Sequence, residues 1–135
     1  MTRLSVWSVR TAMLYLGVGF LLGALMLFEK GVPMAPSLLR LLPVHIEFVL
    51  VGWTIQLAMG VAFWILPRFG RGPAHGNQRL GWLAYSLLNV GVLGVGVGQW
   101  LGAPAIIPLL GRAAELAAVV SFATHAWPRI KPPGA

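Results

Sequence analysis

The chain contains no cysteine. That excludes disulfides, iron–sulfur clusters and thiolate metal sites, and leaves His, Glu, Met and backbone oxygen as the metal donors. Charge is nearly as scarce: 10% of the 135 residues are charged and only three are acidic, against about 25% charged in an ordinary soluble domain. What is present instead is apolar. A hydrophobic fraction of 58% and a mean hydropathy of +0.81 describe an integral membrane protein. The first apolar run lacks a small-residue cleavage site, and three more runs follow it, so it reads as a retained membrane anchor.

A helix needs about 20 apolar residues to cross a hydrocarbon core of roughly 30 Å. Four stretches meet or approach that length, at about Thr11–Phe28, His45–Leu66, Leu80–Trp100 and Ile106–Trp127. The expected fold is an all-α integral membrane protein, a single four-transmembrane-helix bundle over residues 1–135 with short connections. Seven of the ten basic residues (Arg3, Arg10, Arg68, Arg71, Arg79, Arg129 and Lys131) fall on one side of this topology, and Lys30, Arg40 and Arg112 on the other. The positive-inside rule then puts both termini in the cytoplasm and the chain in the cell (inner) membrane as a multi-pass protein. The net charge of +7 reads as loop and helix-end cations beside anionic lipid, not as a nucleic-acid surface.

Ionisable groups inside a bilayer are costly, by roughly 2.5 to 3.5 kcal/mol each at the centre, and they tend to mark sites. His45 heads a 22-residue apolar stretch whose only other ionisable group is Glu47. On a wheel of 100° per residue, Gly52 and Gln56 lie close to His45, Trp53 flanks that stripe, and Glu47 points away. The stripe combines a ligand-type imidazole, a gap, and an amide able to orient water or a propionate. The competing reading is an interfacial histidine bonded to a loop carbonyl. Glu47 and Glu115 belong to the outer half with Arg40 and Arg112, as candidate proton carriers or as an ion-pair layer. His125 lies roughly 28 Å along the fourth helix from its start, so it cannot share an ion with His45 within one chain, and it reads as a membrane-belt residue beside Trp127. His75, among glycines and prolines, reads as a solvated loop residue. Pairs four apart, Gly19/Gly23, Gly94/Gly98 and Ala114/Ala118, read as packing faces.

The segment VHIEFVLVGWTIQLAMGVAFWILPRFGRG, followed by LGWLAYSLLNVGVLGVGVGQ, resembles the catalytic subunit of heme–copper oxidases and nitric oxide reductases. The resemblance runs from Val44 to Gln99 and rests on His45, Gly52, Pro67 and Arg68, with Gly70 and Arg71 beyond them. It implies His45 as an axial ligand of a b-type heme, with Gly52, Trp53 and Gln56 lining the pocket and Arg40 or Arg112 pairing with propionates. His45-Ile46-Glu47 also resembles the His-X-Glu of the copper-site helix, which implies copper as the alternative, and zinc is a further metal that clustered histidines suit. The chain has no adjacent His pair and no His-X-His. It is therefore similar to one four-helix arc of that subunit, which implies a homo-oligomer, a dimer or trimer, whose copies complete the site; Met34 or Met59 is the second ligand if one chain acts alone.

The expected function is thus that of a small heme-binding membrane protein engaged in electron transfer with a respiratory-chain partner. A non-enzymatic accessory subunit of a respiratory complex is the alternative. A small transporter fits less well, because no proline breaks a helix mid-membrane and Asn89, Ser121 and Thr124 are few for a polar route.

Overall fold

The computed structural model describes residues 2–68 and 75–130. In order these form α1 (Arg3–Gly31), a 3₁₀ turn (Pro36–Leu41), α2 (Leu42–Glu47), a π-helical segment (Phe48–Ile55), α3 (Gln56–Ile65), α4 (Gln78–Trp100), α5 (Ile106–Ala126) and a closing 3₁₀ turn (Trp127–Arg129). No strand occurs among the described residues. The 3₁₀ turn, α2, the π segment and α3 run on as one rod, Pro36–Ile65, so four helical units are long and apolar enough to cross a membrane. Two of the basic residues assigned to faces above, Arg71 and Lys131, lie outside the described residues, as does Gly70 of the resemblance.

α1 begins at Arg3, earlier than the apolar run suggests, because Thr2 caps it: the Thr2 hydroxyl accepts from the Ser5 amide at 3.2 Å. Its 29 residues span about 43 Å at 1.5 Å each, longer than a hydrocarbon core of roughly 30 Å, so the turns carrying Arg3 and Arg10 extend past the apolar length. At its other end the buried Glu29 carboxylate accepts from the amides of Met34 (3.0 and 3.1 Å) and Ala35 (2.8 Å), which holds the chain for its turn into Pro36. Charge-assisted bonds of this kind contribute about 1.5–3 kcal/mol. Glu29→Ala should destabilise the protein by about 2 kcal/mol, with hydrogen exchange at Met34 and Ala35 accelerating before the rest of the chain.

In the second rod the Thr54 hydroxyl donates to the Val49 carbonyl at 3.0 Å, five residues back, as the wider π turn allows. α4 stops at Gly102, whose φ of 66° lets the Ala103 amide reach back to the Gly98 carbonyl at 2.9 Å.

The four units pack in chain order: α1 on the second rod, that rod on α4, and α4 on α5. The apolar windows of the outer two are 22% and 17% buried and those of the inner two 28% and 39%, so α1 and α5 are the edges of an open row. α4 and α5 meet most closely, backbone to backbone, at Gly91 and Gly111: a methyl on Gly91 would lie 2.8 Å from the Gly111 carbonyl oxygen. Gly19 and Gly23 admit Val49 and His45 of the second rod.

A polar seam joins α1 to its neighbours in the half that carries the chain termini. Ser5 donates to the Gly60 carbonyl (2.9 Å), Gln56 to the Ser8 carbonyl (3.3 Å), Thr11 and Tyr85 share a bond (2.8 Å), and Tyr15 donates to Asn89 (3.0 Å). Asn89 belongs to this seam, whereas the Ser121 and Thr124 hydroxyls bond back to their own helix. Sequence inspection passes over this seam because its members are spread over three helices.

Arg129 locks the terminal end. Its guanidinium is fully buried and donates to the carbonyls of Phe63 (3.0 Å), Leu66 (2.7 Å) and Pro67 (3.1 Å), the orphan acceptors at the end of α3. His125 accepts from Arg129 through Nε2 (3.2 Å) and donates through Nδ1 to the Asn77 carbonyl (3.1 Å), while its ring stacks on Phe63. The membrane-belt reading of His125 is thereby corrected, since the residue is buried and serves the loop before α4. His75 stacks on Phe63 as well and is half-buried, not solvated. Burial first, then the Arg68 and Arg129 guanidiniums, hold the His75 ring below the ordinary histidine range and so favour the neutral form that stacks.

Candidate functional site

His45 sits on α2 and faces α1. Its Nδ1 lies 2.7 Å from the Gly19 carbonyl oxygen. A carbonyl can only accept, so Nδ1 carries the proton and donates, and a neutral ring then presents its lone pair at Nε2. Nε2 has no hydrogen-bond partner among the described residues. Room for the ring comes from Gly23, where a methyl would lie 2.8 Å from His45 Cε1. This is how protein metal ligands are commonly set: one imidazole nitrogen donates to a backbone carbonyl, which fixes tautomer and orientation for the other.

The imidazole is partly exposed at the base of an open trough between α1 and the second rod. Toward the Glu29 end the trough holds about 520 Å³ between Gly23, Met26, Leu27, Lys30, Leu39 and Leu42. A hollow of about 480 Å³ beside Phe20, Ala24 and Val49 shares Gly23, Leu27 and His45 with it, and a third of about 460 Å³, lined by Trp53, Met13, Leu16 and Gly17, meets the second at Phe20. These sizes fall in the range of small-molecule sites, roughly 300–1,000 Å³. The lining is apolar apart from His45 and Lys30, and the buried Trp53 Nε1 has no partner among the described residues.

The remaining expected residues divide. Trp53 lines a neighbouring hollow, which meets the one beside His45 at Phe20. Gly52 does not open a gap: the Tyr15 ring fills it, and a methyl there would meet Tyr15 Cγ at 2.7 Å. Gln56 is buried against Ser8, so the His45–Gly52–Gln56 stripe is the packing seam between the second rod and α1. Arg112 lies on the opposite side of the rod, bonded to Glu47 (2.7 Å) and Glu115 (2.8 Å). Arg40 lines an adjoining hollow with Pro43, Gln99 and Trp100, which shares Leu39 and Leu42 with the first. Met34 is exposed, and Met59 lies by Gln56 in the terminal half. Among the described residues no three of His, Cys, Asp or Glu gather as metal ligands, so one chain assembles no copper or zinc centre from them.

Lys30 and Met26 are the trough residues that sequence reasoning missed. Their signal was present, since both lie on the α1 face of Gly19 and Gly23, but only packing shows that this face receives His45.

Glu47, Arg112 and Glu115 form a second charged group at the α2–α4–α5 junction. The Glu115 side chain lies over Gly91 and that of Glu47 over Gly96, so glycines on α4 make the space for both carboxylates. Arg112 is half exposed and bridges the two.

No family model, curated protein or solved structure matches this chain.

Proposed function

We propose that the protein is a small electron-transfer protein of the cell membrane, with both termini cytoplasmic, that binds a b-type heme through His45 Nε2. The observation that carries this reading is the 2.7 Å bond from His45 Nδ1 to the Gly19 carbonyl, which leaves the other nitrogen free as a ligand on a residue that lines an apolar trough. The donor set fits a heme on one face only. In that role His45 supplies the axial bond, Gly23 leaves space for the ring, Trp53 and the aliphatic wall exclude water, and Lys30 replaces Arg40 and Arg112 as the partner for a propionate. A bound heme would supply one-electron redox chemistry. The row is open and single-walled here, so the opposite face of the cofactor falls to a second copy in a homo-oligomer, as in the resemblance to one arc of a heme–copper oxidase subunit. Copper or zinc held by symmetry-related His45 side chains is the alternative cargo of the same arrangement. Glu47, Arg112 and Glu115 act in this reading as an ion-pair layer that ties α2 to α5.

Protein purified from membranes should show a Soret band. His45→Ala should abolish it while the chain stays folded, and added imidazole should restore part of it. A colourless, metal-free wild-type protein that copurifies with a respiratory complex would replace this reading with the accessory-subunit one.

A further inference from the structure

We infer that a single water molecule is a fixed component of the polar seam, bound between Gln56 Oε1 and the hydroxyls of Ser8 and Tyr85. Gln56 is 1% exposed, and its Oε1 has no partner among the described residues. The orientation of the amide is set by chemistry: the group facing the Ser8 carbonyl at 3.3 Å must be the donor, Nε2, which leaves Oε1 as the free acceptor. Beside it lies a partly open hollow of about 10 Å³ whose only polar side chains are Ser8, Gln56 and Tyr85, with Leu4, Phe63 and Phe122 in its apolar lining. That volume is about what one water molecule occupies, and buried waters typically make about three hydrogen bonds. Three polar groups surround this cavity.

An apolar cavity of this size would stay dry, but an amide oxygen buried without a partner is costly, and water is the ligand small enough to satisfy it. The Tyr85 hydroxyl already shares one bond with Thr11 at 2.8 Å and retains capacity for a second. The water therefore joins the Ser8–Gln56 pair to Thr11–Tyr85. The result is one hydrogen-bonded group spanning Ser8 to Thr11, about 5 Å along α1, in which Gln56 and Tyr85 tie the second rod and α4 to it. It also explains why a glutamine stands in an otherwise apolar helix. The inference is independent of any cofactor at His45, which lies farther along the same rod.

The test is an experimental structure of the full chain in lipid at a resolution that orders internal solvent. One density peak within roughly 2.7–3.2 Å of Gln56 Oε1 and of at least one of the two hydroxyls is expected. A well-ordered Gln56 with an empty cavity overturns the inference. In solution, nuclear Overhauser transfer from a long-lived water to the Gln56 side-chain amide is expected, with Gln78 and Gln99, both exposed, identified by their Asn variants. Transfer to Gln56 from protein and lipid protons alone would likewise overturn it.

Discussion

Replacing Arg129 by alanine should destabilise the protein by about 3–5 kcal/mol, the range seen when one partner is removed from a buried charged network. The guanidinium is fully buried and satisfies the carbonyls of Phe63, Leu66 and Pro67 together with His125 Nε2. Each hydrogen bond to a charged group contributes about 1.5–3 kcal/mol, and a deserted buried acceptor is penalised further. Arg129 also lies over the Phe63 ring, 5.3 Å from its centre, so its loss loosens the stack that holds His75 and His125. Arg129→Lys should recover less than half of the loss, because a single ammonium cannot fork between three carbonyls on the turn that ends α3. Denaturant unfolding in mild detergent measures both variants. An Arg129→Ala protein as stable as the wild type would mean that the terminal end is not held this way.

Gly91→Ala is the second large effect expected. A methyl at Gly91 would stand 2.5 Å from Glu115 Cγ and 2.8 Å from the Gly111 carbonyl oxygen. The second obstacle is backbone, so relief requires α4 and α5 to separate and not merely a side chain to turn. Overpacking of this kind costs typically 1–3 kcal/mol, and here it also displaces Glu115 from Arg112, so about 3 kcal/mol is expected. Gly94→Ala, one turn on, is the control: its methyl would meet nothing nearer than 3.6 Å. Since alanine is the better helix former by up to about 1 kcal/mol, that variant should be neutral or slightly stabilised. Equal damage from the two substitutions would refute the close α4–α5 contact.

Of the site, the residue types were readable and their partners were not. His45 and Trp53 stood out as an imidazole and an indole in an apolar stretch, and they line two neighbouring hollows. Gly52 and Gln56 were assigned to the same pocket by helical periodicity, yet Tyr15 and Ser8 of α1 occupy those positions. A helical wheel reports which residues share a face; it does not report whether a neighbouring helix or a cavity covers that face. Arg112 is the exception: an ion-pair layer with Glu47 and Glu115 was one of its two expected roles, and its guanidinium does bridge them, on the far side of the rod from His45.

The amino-acid order alone determined that this is a helical chain of four apolar units, because hydrocarbon length and backbone hydrogen bonding demand about 20 apolar residues per crossing and the chain has almost nothing else. Only the tertiary structure decided which small residues meet. Gly19 and Gly23 are placed against His45, Gly52 against Tyr15, and Gly91 against Gly111. Between helices that all prefer apolar surroundings, hydrophobicity does not discriminate among partners, so close packing and a few interior hydrogen bonds set the arrangement.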